Sequence, residues 1–297
     1  MQTLVSIAVV TYNSAKTILE TLDSIKAQTY PNIELIISDD CSMDNTVELC
    51  RTWIESNHER FARSEIIIVE KNTGVAGNVN RAVDACHAKW VKTIAGDDVL
   101  MPDCVKVYVE FAENHSNMVY AFSKIQAFGS SKENCARVEN LFNYRLFEWP
   151  ASQQYKYLME NGNCIPAATG FFNKEKLRKL GLRFDERIPL LDDYPMWLNL
   201  LKNGVHLDFI DIVTTKYRVS ENSLSTALTK STKYSKSEML MYKYYRFPYF
   251  YQYGNKKEAV LKFLQAEKYI HDNAFVWRLI VYLYKKLTGV NNRSTIK

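Results

Sequence analysis

Pairs of adjacent aspartates follow apolar, strand-like stretches at three points in this chain. The pairs are Asp39-Asp40, Asp97-Asp98 and Asp192-Asp193. Neighbouring carboxylates repel each other unless a cation or solvent relieves the repulsion, and their oxygens are the ligands that Mg²⁺ and Mn²⁺ prefer. The second pair ends an apolar run abruptly, which indicates a metal ion and a phosphate-bearing substrate. Aspartate also favours caps and turns, but three pairs with matching placement make turn chemistry alone a poorer explanation.

The elements around these pairs predict a parallel sheet covered by helices. Four apolar, β-branched runs predict buried strands, at 5–10, 33–38, 66–69 and 91–95. Helical spacing of apolar residues predicts the connecting helices, at 14–28, 44–54 and 78–87. Strand–helix alternation with short connections is typical of such a sheet, and ligands bind at the carboxyl ends of its strands.

The rest of the chain is less regular and changes in composition after residue 225. In its middle we expect a strand, a polar loop, two helices and a β segment, at 118–128, 130–140, 177–182, 193–202 and 206–219. The last part is rich in Lys, Tyr and Phe, with an amphipathic helix at 256–270. We therefore predict two domains, a catalytic domain at 1–225 and a helical C-terminal region at 226–297.

Composition excludes several classes of protein. The 297 residues can bury a sizeable core, and 47% hydrophobic and 24% charged residues are ordinary for a globular chain. A net charge of +5 fits an anionic substrate or membrane surface but is weak evidence for nucleic acid, so no nucleic acid partner is expected. The six cysteines include no C-x-x-C pair, and the start of the chain lacks a basic signal-peptide region. Reduced cysteines and a cytoplasmic location are therefore expected.

Six short motifs occur in a fixed order along the chain. They are 5–13 (VSIAVVTYN), 34–46 (ELIISDDCSMDNT), 72–82 (NTGVAGNVNRA), 96–98 (GDD), 184–201 (FDERIPLLDDYPMWLNLL) and 217–225 (YRVSENSLS). Together they resemble the inverting family 2 glycosyltransferases, over roughly residues 4–225. The resemblance implies a GT-A fold, an α/β architecture with a Rossmann-like nucleotide-binding sheet, mostly parallel and with helices on both faces. Here a C-terminal helical appendage would follow it.

The resemblance assigns the ends of the first two strands to the nucleotide. Thr11, Tyr12 and Asn13 would line its pocket, with the Tyr12 ring against the base. Asp40 would accept a hydrogen bond from the uracil N–H, for which a carboxylate is a strong acceptor. The implied donor is a nucleotide-sugar, with a UDP-sugar favoured. A tyrosine packed on the surface is the alternative for Tyr12.

The loop after the third strand would also contact the donor. Asn72 and Gly74 belong to the family's glycine-containing loop, in which glycine permits close backbone approach. Many relatives carry a basic residue nearby that contacts the nucleotide or sugar, and Arg81 is the local candidate. A solvated helix residue is the equally weighted alternative for Arg81.

The two remaining aspartate pairs would carry the chemistry. The resemblance makes Asp98 the ligand of Mn²⁺ or Mg²⁺ and Asp97 a contact to the donor ribose or sugar. The metal would neutralise charge on the leaving nucleoside diphosphate. Asp193 matches the catalytic base, which inversion requires on the face opposite the leaving group.

The acceptor side is less well defined. Asp192 stands where relatives usually have Glu, and Trp197 lies on the same helix face as the proposed base, with core burial as its alternative. Arg218 is a further candidate on the acceptor side. Many relatives carry a histidine near the metal or diphosphate where this chain has Ser220, and Arg218 or a water would substitute for it there. The stretch 162–170 would also lie near the acceptor.

The C-terminal region indicates contact with a membrane surface. Residues 274–287 (AFVWRLIVYLYKKL) are too few to span a bilayer and are interrupted by Arg278. Their aromatic and apolar content, followed by Lys285 and Lys286, suits the membrane interface. Such contact would fit a lipid-linked saccharide acceptor and a peripheral location on the inner face of the cytoplasmic membrane. Packing on the catalytic core and homodimer formation are the alternatives.

Two other functions fit less of the sequence. A nucleotidyltransferase also uses carboxylate-bound metal, but the chain has no G-x-x-x-x-G-K-[ST] or G-x-G-x-x-G motif. A catalytically impaired homologue could act as a scaffold in a membrane glycan-assembly complex. The missing histidine favours the scaffold, whereas the intact Asp40, Asp98 and Asp193 argue against it. The donor sugar, the acceptor and the linkage stay open.

Overall fold

The computed structural model describes residues 2–188, 190–219, 232–270 and 274–290. Within them, eight strands form one sheet. The strands are β1 (Val5–Thr11), β2 (Ile33–Asp39), β3 (Arg63–Ile68), β4 (Trp90–Ala95), β5 (Val99–Leu100), β6 (Tyr120–Phe128), β7 (Phe171–Asn173) and β8 (Leu207–Arg218).

Helices connect the strands and continue beyond the last of them. The described helices are α1 (Ile18–Lys26), α2 (Thr46–Asn57), α3 (Gly74–Ala85), α4 (Cys104–Asn114), α5 (Lys132–Glu139), α6 (Ala151–Asn161), α7 (Lys174–Lys179), α8 (Asp193–Lys202), α9 (Thr232–Met241), α10 (Phe247–Tyr253), α11 (Lys256–Ile270) and α12 (Ala274–Thr288). A π-helical turn, Tyr242–Arg246, joins α9 to α10.

The sheet has the order β3-β2-β1-β4-β7-β6-β8-β5. Strands β3, β2, β1 and β4 are parallel to one another, and β6 is parallel to β8. Only β7 and β5, among the described strands, run antiparallel to their neighbours. The predicted mostly parallel sheet is therefore confirmed, and β1, β2 and β4 end side by side.

Helices cover both faces of the sheet, as predicted. One buried cluster packs α1, α2 and α4 against one face through residues such as Ile7 and Leu35. A second cluster packs α3, α6 and α8 against the other face through residues such as Ala8 and Ile36. Because both faces are covered, every residue of β2 is buried, which explains why such strands are continuous apolar runs.

The predicted polar loop at 130–140 is wrong, because this segment contains helix α5. Ser131 caps the helix, its side chain accepting a hydrogen bond from the Asn134 backbone N–H at 3.2 Å. Val138 anchors the helix in a small cluster with Ile125 and Val219. A local cap and one tertiary contact thus outweigh the polar composition of the segment.

Other elements agree more closely with the sequence. The helices predicted at 193–202 and 256–270 have those bounds in the structure. The helix predicted at 177–182 instead begins at Lys174, since the Asn173 side chain caps it by accepting a hydrogen bond from the Lys176 backbone N–H at 3.1 Å.

The first C-terminal helices pack against the core. Met241, at the end of α9, belongs to the same buried cluster as α8. Tyr245 Oη donates a hydrogen bond to Asp185 Oδ2 at 2.7 Å. Arg246 Nε donates another to the Met159 carbonyl at 3.0 Å. Apolar packing and hydrogen bonds therefore hold the π-helical turn against the catalytic part of the chain.

The proposed domain boundary at residue 225 and the position of Ser220 lie outside the described residues. The division into two domains therefore stays a prediction. None of the described helices has both the length and the apolar content needed to cross a bilayer.

A buried ionic cluster joins the amino ends of the first strands. The Glu34 side chain is 1% exposed and accepts hydrogen bonds from Ser6, from Arg63 at 2.6 Å and from the His87 ring at 2.7 Å. Burial favours the protonated acid, but these hydrogen bonds outweigh it and hold the pKa of Glu34 at about 2. The carboxylate is therefore ionised in the folded protein and stabilised by several partners.

Candidate functional site

The Asp40 carboxylate organises the loop that precedes α3. Its oxygens accept hydrogen bonds from the Thr73 backbone N–H at 3.0 Å, the Thr73 hydroxyl at 2.6 Å and the Gly74 backbone N–H at 2.9 Å. Gly74 has φ of 83°, a left-handed conformation that glycine adopts at little cost. Asn72 donates to the Asp40 carbonyl at 3.1 Å and closes the loop. The structure thus brings together three residues that the motifs assigned to the donor.

Arg81 belongs to the same network, so the solvated alternative for this residue is wrong. Its guanidinium donates hydrogen bonds to Asp40 Oδ1 at 3.0 Å, Ser38 Oγ at 3.0 Å and Asn78 Oδ1 at 3.0 Å. The side chain keeps 19% of its surface exposed. A partly exposed cation therefore lies against a buried carboxylate at the carboxyl end of β2.

The end of β1 presents an aromatic ring beside this network. Tyr12 is half exposed, and Asn13 follows it in the left-handed region, with φ of 52°. The Asn13 backbone N–H donates to Ser42 Oγ at 2.7 Å, which fixes the turn. The Tyr12 ring is thus accessible to a flat ligand such as a nucleotide base.

Thr11 is one of the buried residues among those predicted to bind the donor. Its carbonyl accepts a hydrogen bond from Asn78 Nδ2 at 3.2 Å. Its hydroxyl is buried and has no hydrogen-bond partner among the described residues. A Cβ atom at Gly96 would lie 2.9 Å from that hydroxyl, so the close approach of β1 to the 96–98 turn requires glycine there.

Arg218 binds the Asp97-Asp98 pair. Its backbone N–H donates to Asp98 Oδ1 at 2.9 Å, and its Nε donates to the Asp97 carbonyl at 2.8 Å. The guanidinium also pairs with Glu20 and lies 4.4 Å from the centre of the Phe128 ring. Arg218 was predicted on the acceptor side and also as a substitute for the family's histidine near the metal or diphosphate. Its contacts in the structure are with the Asp97-Asp98 turn.

Burial raises the pKa of Asp98 well above its usual range, and repulsion from Asp97 adds to the shift. Lys92 is fully buried nearby, where its ammonium donates to the Thr93 carbonyl at 2.6 Å and the Ala168 carbonyl at 2.7 Å. Burial lowers the pKa of Lys92 to about 8, and electrostatic interactions with Cys104 and Asp98 partly oppose this shift. The pair therefore lies in a site where a further cation would relieve electrostatic strain.

The donor set fits a metal ion that receives much of its coordination from a ligand. The described residues contain no group of three or more His, Cys, Asp or Glu side chains that could surround a metal. They do contain the mutually repelling Asp97-Asp98 pair, of which Asp98 is buried. Mg²⁺ and Mn²⁺ are commonly held by one or two carboxylates together with substrate phosphates, and this is the arrangement that the residues allow.

The Asp192-Asp193 pair lies at the start of α8. Asp193 Oδ2 accepts a hydrogen bond from Asn163 Nδ2 at 2.6 Å, and its Oδ1 accepts one from the Tyr194 backbone N–H at 2.7 Å. Burial raises the pKa of Asp192 to about 7, with repulsion from Asp193 adding to the shift. Burial also raises the pKa of Asp193. The pair therefore shares protons nearer neutral pH than isolated aspartates do.

Trp197 has a packing role in the structure. It is 1% exposed, and its ring meets Tyr120 edge-on at 4.8 Å and Phe122 at 4.7 Å between ring centroids. The ring is therefore enclosed in the core beneath Asp193. It supports the start of α8 and presents no face to solvent.

Three residues near the site were not identified from the sequence. Lys92 stands in an apolar strand without any motif, Glu20 pairs with Arg218 from 198 positions away, and Tyr120 lies beneath α8. Burial raises the pKa of Tyr120 well above its usual range, and the charges of Asp192 and Asp193 add to the shift. These neighbours come from separate elements of the sheet and its covering helices, so only the three-dimensional structure reveals them.

A cavity of 420 Å³ lies apart from the aspartate pairs, between α6 and α10. Aromatic and charged side chains line it, including Tyr155, Glu160, Tyr249 and Tyr253. It contains none of the residues that the motifs assigned to the donor.

Known proteins share both the sequence pattern and the fold. The sequence profile of glycosyl transferase family 2 matches residues 6–181. A UDP-Glc:α-D-GlcNAc-diphosphoundecaprenol β-1,3-glucosyltransferase, WfaP of Escherichia coli, is 26% identical over 75% of this chain and 80% of its own length. A putative teichuronic acid biosynthesis glycosyltransferase, TuaG of Bacillus subtilis, is 26% identical over 77% of this chain and 84% of its own length.

Solved structures agree on the architecture. Residues 1–349 of TarS from S. aureus, in complex with UDP-GlcNAc, superpose with a TM-score of 0.65 over 95% of this chain and 87% of that one, at 14% identity. The mannosyltransferase PcManGT of Pyrobaculum calidifontis, in complex with GDP-Man and Mn²⁺, gives a TM-score of 0.59 at 18% identity, over 98% of this chain and 77% of that one. These similarities establish the GT-A fold.

Proposed function

Because the chain belongs to glycosyl transferase family 2, we propose that it transfers a sugar from a nucleotide-sugar, with inversion, to a hydroxyl of a glycan or lipid-linked saccharide. The observation that carries the proposal is the concentration of carboxylates at the carboxyl ends of β2 and β4. There Asp40 organises the 72–74 loop, and Arg218 holds the buried Asp98.

The donor nucleotide would bind across the ends of β1 and β2. The exposed Tyr12 ring offers a flat apolar surface for the base. Asp40 is the acceptor proposed for a base N–H, although its oxygens already accept hydrogen bonds from Thr73, Gly74 and Arg81. A base N–H would therefore share an oxygen within this network.

UDP is the favoured nucleotide. The name of WfaP specifies UDP-Glc as its donor, and TarS was crystallised with UDP-GlcNAc. PcManGT was crystallised with GDP-Man, so the fold itself accommodates other nucleotides. An acidic acceptor in the base pocket suits the uracil imide N–H, which supports the choice of a UDP-sugar.

The diphosphate would bind beside Asp97-Asp98. Asp98 would hold a divalent cation, Mn²⁺ or Mg²⁺, and Asp97 the ribose or sugar of the donor. The cation, when bound, would offset the negative charge that develops on the leaving diphosphate. Arg218 would fix the Asp98 carboxylate through its backbone N–H, and its guanidinium would supply further positive charge to this part of the site.

Asp193 would act as the general base. It would accept the proton of the acceptor hydroxyl while that oxygen attacks the anomeric carbon and the bond to the diphosphate breaks. Asn163 would orient Asp193 through the hydrogen bond to Oδ2, and the Tyr194 backbone N–H through the one to Oδ1. A remaining lone pair of the carboxylate would accept the proton. The raised pKa of the Asp192-Asp193 pair matches a base that works near neutral pH.

The biological setting follows from the relatives. WfaP is named for an acceptor linked to undecaprenol diphosphate, and TuaG for a polysaccharide pathway. We propose that this chain likewise extends a saccharide in polysaccharide biosynthesis, at the cytoplasmic surface of a membrane.

Release of UDP from a panel of UDP-sugars, with and without Mn²⁺, tests the proposal. Slow hydrolysis of one donor that requires the metal, together with a metal-dependent rise in melting temperature on adding UDP, is the expected result. Asp98→Ala should remove the metal dependence of UDP binding, whereas the exposed control Asp211→Asn should keep it. Equal UDP affinity in Asp98→Ala and wild type, with or without Mn²⁺, would show that the metal site is wrongly assigned.

A further inference from the structure

The outer side of α12 is an exposed apolar face. Its large apolar residues at helical spacing are open to solvent, with exposed fractions of 77% for Phe275, 48% for Leu279, 59% for Tyr282, 45% for Leu283 and 85% for Leu287. Amphipathic helices of globular proteins normally turn such residues towards the core. A contiguous exposed apolar surface on one helix indicates a partner outside the described chain.

The other side of α12 is already engaged. Tyr284 Oη donates a hydrogen bond to the Lys257 carbonyl at 3.0 Å, which ties α12 to α11. Helix α11 packs in turn on the π-helical turn and on α10, for example through the ring contact of Phe263 with Phe247 at 4.5 Å. Helix α12 is therefore anchored on one side by the chain and presents the opposite side outwards.

The charge of this segment indicates what covers the face. Residues 274–297 contain five basic residues and no Asp or Glu. Of these, Lys285 and Lys286 lie in the last turn of α12, directly beside the exposed leucines. Two copies meeting through this face would bring these positive charges together, whereas an anionic surface would neutralise them.

The length of the helix limits how it meets such a surface. Its 15 residues extend over only about 22 Å, less than the roughly 30 Å of a bilayer core. Tyr282 on the exposed face has the amphipathic ring that favours the interface between lipid and water. A helix of this kind lies parallel to the membrane, with its apolar face at the boundary between headgroups and acyl chains.

We infer that the outer face of α12 docks on an anionic lipid bilayer. The biological role of this docking rests on the proposed function, because docking would bring the active site to a lipid-linked acceptor. The surface itself is defined by Phe275, Leu279, Leu283 and Leu287, with Lys285 and Lys286 providing the attraction to anionic headgroups.

Co-sedimentation of the full chain with vesicles tests the inference. One set is phosphatidylcholine alone and the other an equal mixture of phosphatidylcholine and phosphatidylglycerol. The wild type should bind the anionic vesicles, and binding should fall as salt increases. Leu279→Glu combined with Leu283→Glu should lower the partition coefficient at least about tenfold, and Lys285→Gln combined with Lys286→Gln should lower it about fivefold per lysine on anionic vesicles.

The matched control is Leu141→Glu, which places the same charge at a leucine that is 62% exposed elsewhere. It should bind vesicles as the wild type does. Melting temperatures of all variants exclude unfolding as the cause of lost binding. UDP release measured in the same variants without lipid should be unchanged, so a failure of the donor assignment would not be mistaken for a failure of the surface.

Two outcomes would overturn the inference. One is equal binding of anionic vesicles by the wild type and by the variant with Leu279→Glu and Leu283→Glu, or no binding by either. The other is a dimer, detected by light scattering in the absence of lipid, that the same two substitutions convert to a monomer. The second result would assign the face to another copy of the chain.

Discussion

At the scale of single residues, the site is organised by pairs of unlike groups that the sequence separates widely. The Arg81 guanidinium donates a hydrogen bond to Asp40, which lies 41 positions away in the sequence. The Arg218 backbone N–H donates one to Asp98, which lies 120 positions away. The motifs predicted most of these side chains individually. They did not predict that Arg81 binds Asp40, because a partner across two elements depends on strand order, which no local spacing encodes.

Asp193→Asn should abolish transfer and leave donor binding nearly intact. The variant keeps the shape of the side chain and one of the two hydrogen bonds that Asp193 accepts, but it cannot accept a proton, and general bases contribute about 10²- to 10⁴-fold to rates. Steady-state turnover and the affinity for UDP measure the two effects separately. The exposed Asp211→Asn serves as control, and turnover near that of the wild type would exclude Asp193 as the base.

Arg81→Gln should weaken UDP binding about tenfold and have little effect on turnover at saturating donor. The substitution removes the ion pair with Asp40 and loosens the 72–74 loop, and a hydrogen bond between charged groups contributes about 1.5–3 kcal/mol. Calorimetric titration with UDP measures the change. Arg183→Gln, at an exposed arginine that pairs with Asp84, should leave the affinity unchanged, and an equal loss in both variants would count against the network.

At the scale of elements, the structure explains which predictions succeeded. Helix α8 agreed with its predicted bounds because periodicity, the Asp192-Asp193 start and the Asn203-Gly204 end all indicated the same helix. The loop predicted at 130–140 was wrong because its polar composition concealed the cap at Ser131. Elements are predictable from sequence where propensity, capping and burial agree, and α5 lacks a strong apolar pattern.

The start of α8 should give the reaction a distinct pH dependence. Burial and mutual repulsion raise the pKa of Asp192 to about 7, so the pair loses its full charge as the pH falls through neutrality. Since a base must be ionised and burial raises the pKa of Asp193, turnover should rise with pH through the range in which the pair titrates and level off above it. Asp192→Asn removes the repulsion, and the midpoint of its pH–rate profile should move to lower pH. An unchanged midpoint would show that another group controls the profile.

At the scale of the whole molecule, the edge of the sheet formed by the carboxyl ends of the parallel strands and the edge formed by their amino ends carry different groups of residues. The carboxyl ends of β1, β2 and β4 carry the candidate site, and the amino ends carry the buried cluster around Glu34. The sequence predicted the first edge because its motifs resemble a known family. It did not predict the second, because Ser6, Arg63 and His87 form no pattern until the strands are aligned.

Glu34→Gln should lower the free energy of unfolding by about 2–3 kcal/mol at pH 7, because it removes a charge that Arg63 and His87 stabilise. The pKa of Glu34 is lowered from 4.5 to about 2 on folding. Its contribution is therefore complete above about pH 4.5 and is lost as the pH falls towards 2. Urea unfolding at pH 7 and at pH 3 measures both values.

The difference in stability between Glu34→Gln and the wild type should be smaller at pH 3 than at pH 7. Glu48→Gln, at an exposed glutamate of α2, should show almost no loss at either pH. An equal difference at the two pH values would mean that the cluster does not stabilise the ionised carboxylate.

The separation of the two edges of the sheet bears on how such a chain can diversify. If the proposed site is correct, substitutions in the turns after β1, β2 and β4 would alter donor recognition and leave the Glu34 cluster unchanged. Donor specificity can therefore change through substitutions in these turns, without compensating substitutions in the buried cluster around Glu34. Because the parallel strands place the two groups of residues at opposite ends, substrate specificity and folding stability can evolve separately.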